Sequence, residues 1–187
     1  MNAALLNELL TRDNDAYMAV LAAPKPAQDF LLALFSLRAE LNSIPAKVTQ
    51  PTIGLVRIVW WRDRLEAGET KAHPILEALA SFPNQSGRLA AYAETFGEVF
   101  DETDQKQARA ELLASLCHDF LSQAPLPCLY RVALAIDDPA QAAGLKTVKM
   151  TRSQRRAAAP LLFLALAGTR KTALGRAKLA LRLSFGW

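Results

Sequence analysis

The stretch that decides the fold is FLLALFSLRAELNSIPAKVTQPTIGLVRIVWWRDRLE, residues 30–66. In its first half, apolar residues recur at three- and four-residue spacing and cover most of a helix circumference. This predicts a helix from Ala27 to about Lys47 that is buried on more than one side. After an extended break before Pro51, Thr52 is predicted to cap a second helix, which ends at Gly68.

The rest of the chain repeats this helical pattern from end to end. Two capping boxes are predicted, one of Asp104 with Gln107 and one of Thr151 with Gln154. No alternating strand pattern, internal repeat or domain linker is visible. With 51% hydrophobic and 21% charged residues, residues 1–187 are predicted to form one all-α domain of about nine or ten helices.

The predicted helices of the second half end in a basic section. One helix is predicted from Leu126 to Ile136, followed by a turn at Asp137-Asp138-Pro139. A helix leading from Thr151 to Ala167 comes next. A last, basic helix is predicted from about Thr172 to Leu183.

Charge is distributed unevenly between the two ends of the chain. Residues 139–187 contain ten basic residues and no acidic one, whereas residues 1–138 contain 12 basic and 18 acidic residues. A basic end attracts anionic lipid, nucleic acid or an acidic partner, although a solvated helix face is the plain alternative. Nucleic acid is disfavoured because no aromatic series interleaves the charges. The candidates for a membrane or partner surface are Arg152, Arg155, Arg156, Arg170, Lys171 and Arg176.

Cysteine usage and hydropathy indicate the compartment. Cys117 and Cys128 are too few for a disulfide framework and are expected to be reduced thiols. The N-terminal residues have neither the basic nor the apolar region of a secretory signal. The longest strongly apolar run, Ala157–Gly168, is too short to span a bilayer. We therefore expect a soluble or peripheral protein.

The adjacent tryptophans have two interpretations, because neighbouring helix residues point about 100° apart. In the first, Arg57, Trp61 and Arg64 form a cationic-aromatic face that lines a groove for lipid or an anion. In the second, Trp60 is packed in the core and Trp61 lies at the boundary, covered by an arginine stem.

Two groups of reactive side chains also have plain structural explanations. On one continuous helix, Asp101 and Asp104 would share a face and could hold Mg²⁺, but Asp104 also has the pattern of a helix cap. Consecutive residues Cys117, His118 and Asp119 diverge on a helix, so a buried Cys117 beside a boundary His118 is expected. The sequence contains neither a zinc-binding pattern nor a glycine-rich phosphate loop.

A longer motif connects this chain to a known family. The pattern Pro-x-x-Gly-x-x-Arg-hydrophobic-x-Trp-Trp-Arg-Asp is present at Pro51, Gly54, Arg57, Trp60, Trp61, Arg62 and Asp63. With DNDAYMAVLAAP and LLALFSLRAEL before it, the motif resembles the squalene/phytoene synthase family. The resemblance is greatest to the subgroup of the mitochondrial complex I assembly factor and its bacterial relatives. It covers about Asp13 to Leu79 and returns at PLLFLALAGTRKT, with the middle, 88–156, poorly matched and shortened.

The resemblance implies a shortened, isoprenoid-synthase-like helical bundle. Enzymes of that family join two prenyl diphosphates head to head, using Mg²⁺ held by two aspartate-rich motifs. The first motif follows an arginine, here Arg38, so its acidic positions fall at Leu41, Asn42 and Pro45. None of these is a carboxylate. Glu40 lies one position, and so about 100°, away from Leu41.

We therefore expect a degenerate, non-catalytic member of the family without a cofactor. It would act as a cytoplasmic assembly or scaffolding factor, peripheral to the inner membrane, for a protein partner such as respiratory complex I. A remnant cavity would hold a prenyl lipid. The candidates for lipid or anion binding are Arg38, Arg57, Trp60, Trp61, Arg62 and Arg64. The rival hypotheses are a prenyltransferase that binds Mg²⁺ through Asp101, Asp104 and Glu40, and a helical nucleic-acid-binding protein.

Overall fold

In the computed structural model, every regular element among the described residues is helical, which confirms the all-α prediction. The description covers residues 2–101, 103–147 and 150–167 with Gly175 and Leu179, without the side chains of 101, 139, 143, 146 and 147. The α-helices are α1 Ala3–Arg12, α2 Asn14–Ala22, α3 Lys25–Lys47, α4 Pro51–Glu66, α5 Pro74–Leu79, α6 Ser86–Glu94, α7 Glu98–Asp101, α8 Lys106–His118, α9 Leu126–Asp137, α10 Arg152–Ala157 and α11 Ala159–Ala167. Helical 3-10 segments occupy Pro83–Gln85, Thr95–Gly97 and Pro139–Thr147.

Helix α3 is the central element, as its apolar circumference predicts. An unbroken run from Phe30 to Leu37 is buried, and α1, α2, α4 and α5 pack around it. The ring of Phe30 stacks on Phe120 with centroids 4.0 Å apart and meets the edge of Phe82 at 5.1 Å. This aromatic cluster joins the first and second halves of the chain.

The start of α4 differs from the prediction, whereas its end agrees with it. The helix begins at Pro51 and not after a Thr52 cap, and Gln50 at the N-cap makes no side-chain hydrogen bond. Proline suits the first helical position because its fixed φ is already helical and its missing N–H has no partner there anyway. Gly68 follows the helix with φ of 64°, the left-handed conformation of a glycine terminator.

The start of α8 also differs from the prediction. Helix α8 begins at Lys106, after the predicted cap Asp104, whose Oδ1 accepts a hydrogen bond from the Lys106 amide at 3.1 Å. The N-cap is Gln105, one residue later than predicted, and it makes no side-chain cap hydrogen bond, so the predicted box of Asp104 with Gln107 is wrong. The amide of Gln105 donates to Glu98 Oε2 at 2.6 Å.

The capping box of Thr151 and Gln154 is confirmed, but the helix after it is not continuous. It breaks at Ala158 into α10 and α11, because Pro160 cannot donate the i→i−4 hydrogen bond. Helix α11 packs against α2 and α9 and so closes the bundle. The predicted basic helix Thr172–Leu183 lies outside the described residues, apart from Gly175 and Leu179, which are helical.

Candidate functional site

The two tryptophans of the motif have the opposite placement to the one predicted. Trp61 is 4% exposed and its ring centroid lies 5.0 Å from His73, whereas Trp60 is half-buried beneath the Arg64 guanidinium, 5.6 Å from its ring centroid. The buried stripe of α4 is Gly54, Ile58, Trp61 and Leu65, so the core-facing register includes the second tryptophan. The cationic-aromatic pair is therefore Trp60 with Arg64.

The outward face of α4 is apolar at its centre and charged along its edges. Ile53, Val56 and Val59 are 44%, 63% and 40% exposed, and Arg57 is exposed among them. Further along the helix, the arginines already have carboxylate partners. Arg62 pairs with Asp63 at 2.7 Å and with Glu94 at 3.5 Å, and Arg64 pairs with Glu69.

The glycine of the motif has a packing role. The ring of Phe100, in α7, lies directly over Gly54, where a Cβ atom would come within 2.2 Å of the ring carbon Cζ. Only a residue without a side chain permits this approach. Gly54 is therefore the point where α7 contacts α4.

Arg38, the arginine that precedes the first acidic motif of the family, lies in a buried ion-pair network. Its Nη2 donates a hydrogen bond to Asp137 Oδ1 at 2.8 Å, and the two side chains are only 12% and 9% exposed. Asp137 was predicted to lie in a turn, but it is the last residue of α9 and points into the bundle. This pair joins α3 to α9.

A second arginine extends the network toward α7. Arg109 Nε lies 3.3 Å from Asp137 Oδ2 in an ion pair without hydrogen-bond geometry, and its Nη2 donates to Glu98. The Arg109 guanidinium also lies 4.6 Å from the centroid of Phe96. Burial lowers the pKa of Arg109, an effect that the charge of Asp137 opposes. The two buried arginines are thus balanced by two carboxylates.

Nearby Tyr92 completes the polar interior. It is fully buried, and burial raises the pKa of its hydroxyl, which keeps it neutral at physiological pH. Its ring meets the edge of Phe96 at a centroid distance of 5.3 Å. The interior around Arg38 therefore has no excess positive charge with which to hold an anion.

The residues at the expected metal positions do not fit Mg²⁺, which takes oxygen ligands, usually from carboxylates. Leu41 is buried in the apolar core, Asn42 is exposed and Pro45 lies within the last turns of α3. Helix α3 continues through Pro45 to Lys47, so this proline does not end the helix.

The carboxylates proposed as unconventional ligands are engaged elsewhere. Glu40 accepts hydrogen bonds from Arg12 and from Lys47, and Asp104 Oδ1 accepts one from the Lys106 amide at the start of α8. The Asp101 side chain lies outside the description. In the part of the chain that the structure describes, no three His, Cys, Asp or Glu side chains are grouped as a metal site would require.

The family model for squalene/phytoene synthase matches residues 9–118. The chain belongs to the squalene/phytoene synthase family. The match continues past Leu79, where the sequence resemblance ended, and so includes α6 and α8. No curated protein and no solved structure matches the chain. Together with the all-helical architecture, the family match supports a shortened isoprenoid-synthase-like bundle.

The structure describes some of the predicted basic surface residues that lie outside the matched region. Arg152 and Arg156 of α10 are exposed and line a surface groove, whereas Arg155 is half-buried and does not line it. Arg170, Lys171 and Arg176 lie outside the described residues. None of the described helices is long and apolar enough to cross a membrane.

The buried network was missed at the sequence level, although a signal for it exists. Arg109 precedes Leu113 by four residues and so occupies the buried stripe of α8. Asp137 follows the buried Ala133 by four residues in the same way on α9. A charged residue in register with a buried stripe predicts a paired interior charge. The predicted Cys117 and His118 environments are confirmed, with Cys117 fully buried and His118 at the boundary.

Proposed function

We propose that this chain is a non-catalytic member of the squalene/phytoene synthase family. It acts at the membrane surface as an assembly or scaffolding factor, with respiratory complex I as the candidate client. The observation that supports the proposal is the set of side chains that α3 has at the positions of the first motif. The arginine of the first motif is neutralised by Asp137, and the adjacent metal positions are Leu41, Asn42 and Pro45.

This arrangement removes the electrostatic basis of the family reaction. Diphosphate ionisation needs divalent cations to neutralise the developing charge, and these need carboxylate ligands at fixed positions. On α3 one position is filled by a buried leucine and another by proline. The nearest carboxylate in sequence, Glu40, is bound to Arg12 and Lys47.

Charge supports the membrane location in the proposal. Residues 139–187 contribute ten basic and no acidic side chains. Each basic residue close to a leaflet surface adds about 1 kcal/mol of attraction to anionic lipids. Two of these residues, Arg152 and Arg156, are displayed together on one surface of the bundle.

The catalytic part of the proposal is tested with purified protein, Mg²⁺ and farnesyl or geranylgeranyl diphosphate. We expect no squalene, phytoene or released pyrophosphate, while a catalytically competent family member in parallel reactions forms product. Turnover above the no-protein blank would overturn the non-catalytic assignment and would favour the rival prenyltransferase.

The assembly part is tested in a deletion strain of the source organism. We expect reduced assembled complex I in native gels of membranes, with recovery when the wild-type chain is restored. An empty vector and a second respiratory complex serve as controls. Unchanged amounts of every membrane complex would count against the assembly role, whatever the enzyme assay gives.

A further inference from the structure

The outward face of α4 presents an apolar stripe to solvent. Ile53, Val56 and Val59 are exposed on it, and the half-buried Trp60 follows them at the end of the stripe. Their spacing of three and four residues places these side chains on one face of the helix over about two turns. Neighbouring exposed apolar side chains, unlike single scattered ones, mark a surface that another molecule covers.

A small pocket continues the stripe at the carboxyl end of α4. Arg64 joins the two features, because its guanidinium lies over the Trp60 ring and its side chain also lines the pocket. The pocket measures about 80 Å³, well below the about 300–1,000 Å³ of small-molecule sites, and therefore suits a single apolar side chain. Its lining includes the buried leucines Leu65, Leu76, Leu79 and Leu89.

One flank of the stripe has an available positive charge. Arg57 is exposed there and forms no ion pair with any described residue. Arg64 lies seven residues further along the same flank, but it pairs with Glu69. Arg57 is therefore the charge that a partner can neutralise, and an opposite charge across an interface fixes its register and specificity.

Two other occupants fit less well. An anionic membrane surface is disfavoured because Asp63 and Glu66 are exposed in the last turns of α4 and repel lipid phosphates. A second copy of the chain is also disfavoured. In an antiparallel pair of α4 helices, the register that brings Ile53 of one copy to the pocket of the other sets Arg57 opposite Arg64, and these like charges repel.

We propose that the α4 stripe and the adjoining pocket bind an amphipathic helix of a partner protein. The apolar face of the partner packs on Ile53, Val56 and Val59, and one of its large apolar side chains enters the pocket. An acidic residue beside that face pairs with Arg57. The inference deepens the proposed scaffolding role, on which it rests, by naming the surface and the class of partner.

The experiment is photo-crosslinking of the full-length chain in the deletion strain of the source organism, with Val56 replaced by p-benzoylphenylalanine. Crosslinked peptides are sequenced by mass spectrometry. We expect a peptide of another protein that has apolar residues at helical spacing and an acidic residue beside them. The same photoreactive residue at the exposed Glu111 of α8 is the matched control, and it should not capture this peptide.

Charge reversal at Arg57 tests the predicted pairing. Arg57→Glu should lower the crosslink yield at least about tenfold, because the new carboxylate faces that of the partner. Replacement of the partner's acidic residue by lysine should then restore the yield. Lys25→Glu makes the same charge change at an exposed position outside the stripe and the pocket, and should alter the yield less than about twofold.

Filling the pocket tests the anchor independently of charge. Ala80 is half-buried in the lining, so Ala80→Leu places a side chain where the partner's would enter. The crosslink yield should fall about tenfold, as for the loss of a central anchor residue. Circular dichroism confirms that each variant is folded, and the Arg57 and Lys25 variants decide the question should Ala80→Leu not fold.

Any of four results would overturn the proposal. They are a yield from Val56 no higher than from Glu111, crosslinks only to a second copy or to lipid, a captured peptide without an acidic residue, and equal losses in Arg57→Glu and Lys25→Glu. The assembly role is judged separately from the amount of complex I. Capture of an acidic amphipathic helix beside unaltered complex I would reject that role and retain the docking surface, whereas reduced complex I without capture would do the reverse.

Discussion

Removal of the Asp137 carboxylate provides the most direct test of the buried network. In Asp137→Ala, Arg38 loses its partner while its side chain remains 12% exposed, and Arg109 keeps only Glu98. An uncompensated charge is then left in the interior, where hydration cannot replace the lost carboxylate.

The expected cost is large compared with the stability of a domain. Breaking one partner out of a buried ion pair costs about 3–5 kcal/mol. A domain of this size has a free energy of unfolding of about 5–15 kcal/mol. At about 2–4 °C per kcal/mol, the melting temperature should fall by roughly 6–20 °C.

Urea denaturation followed by circular dichroism measures the effect, with an unchanged m-value as the sign of a comparable unfolding transition. Asp63→Ala is the matched control, because Asp63 also pairs with a neighbouring arginine, Arg62, but is 56% exposed. Surface pairs of this kind contribute about 0–1 kcal/mol.

A double variant separates two contributions to the free energy of unfolding, the cost of leaving one charge unpaired and the net contribution of the ion pair. Replacement of Arg38 by Met together with Asp137 by Leu removes both charges and should recover much of the loss. An Asp137→Ala variant no less stable than the Asp63→Ala control would refute the reasoning that Asp137 neutralises buried arginines.

Two further substitutions and one labelling experiment have definite expected outcomes. Gly54→Ala should lower the free energy of unfolding by about 1–3 kcal/mol, since the new methyl group meets an aromatic ring. Burial disfavours the charge of Glu40, but hydrogen bonds from two basic residues outweigh it and lower its pKa. Glu40→Gln should therefore lose at most about 1 kcal/mol at pH 7. Cys128 should react with a thiol reagent before Cys117, because burial raises the pKa of the Cys117 thiol.

Each of these outcomes has its own control. Gly87→Ala, in a helix with open space around the position, should stabilise by about 0.5–1 kcal/mol, and a loss equal to that of Gly54→Ala would reject the steric argument. The stabilisation from Glu40 is present above its unfolded pKa of about 4.3 and is lost as the pH falls through its lower folded value. The Glu40→Gln and wild-type unfolding curves should therefore converge in acid. Equal labelling rates for both cysteines in the native protein would contradict the burial of Cys117.

The sequence predicted the long helices well because their apolar patterns are strong and local. The end of α3 at Lys47 and the glycine end of α4 follow from side-chain periodicity and backbone chemistry alone, whereas α3 begins at Lys25, two residues before the predicted Ala27. The predicted capping box of α8 was wrong because the N-cap is Gln105, one residue after Asp104, and the Gln105 amide donates to Glu98 in the preceding helix. The exact residue at which a helix begins depends on such contacts with neighbouring elements.

The candidate site was predicted less well, for a comparable reason. Adjacent Trp60 and Trp61 differ by about 100°, so the choice between them depends on where the neighbouring helices lie. Periodicity placed Trp60 with Ile53 and Val56 but did not show that this stripe faces outward. The pair of Arg38 with Asp137 spans 99 residues, and no local pattern connects them.

The buried network also has a consequence for the evolutionary reversibility of the fold. Asp137 lies beyond residue 118, where the match to the family ends, yet it supplies the counter-charge for an arginine inside the matched region. Substituting aspartate at Leu41 and Pro45 would therefore place new carboxylates near an arginine that already has a partner. If the chain is non-catalytic as proposed, a gain of diphosphate chemistry would require coordinated change in two distant parts of the chain. Each of those substitutions made alone would lower the stability of the fold.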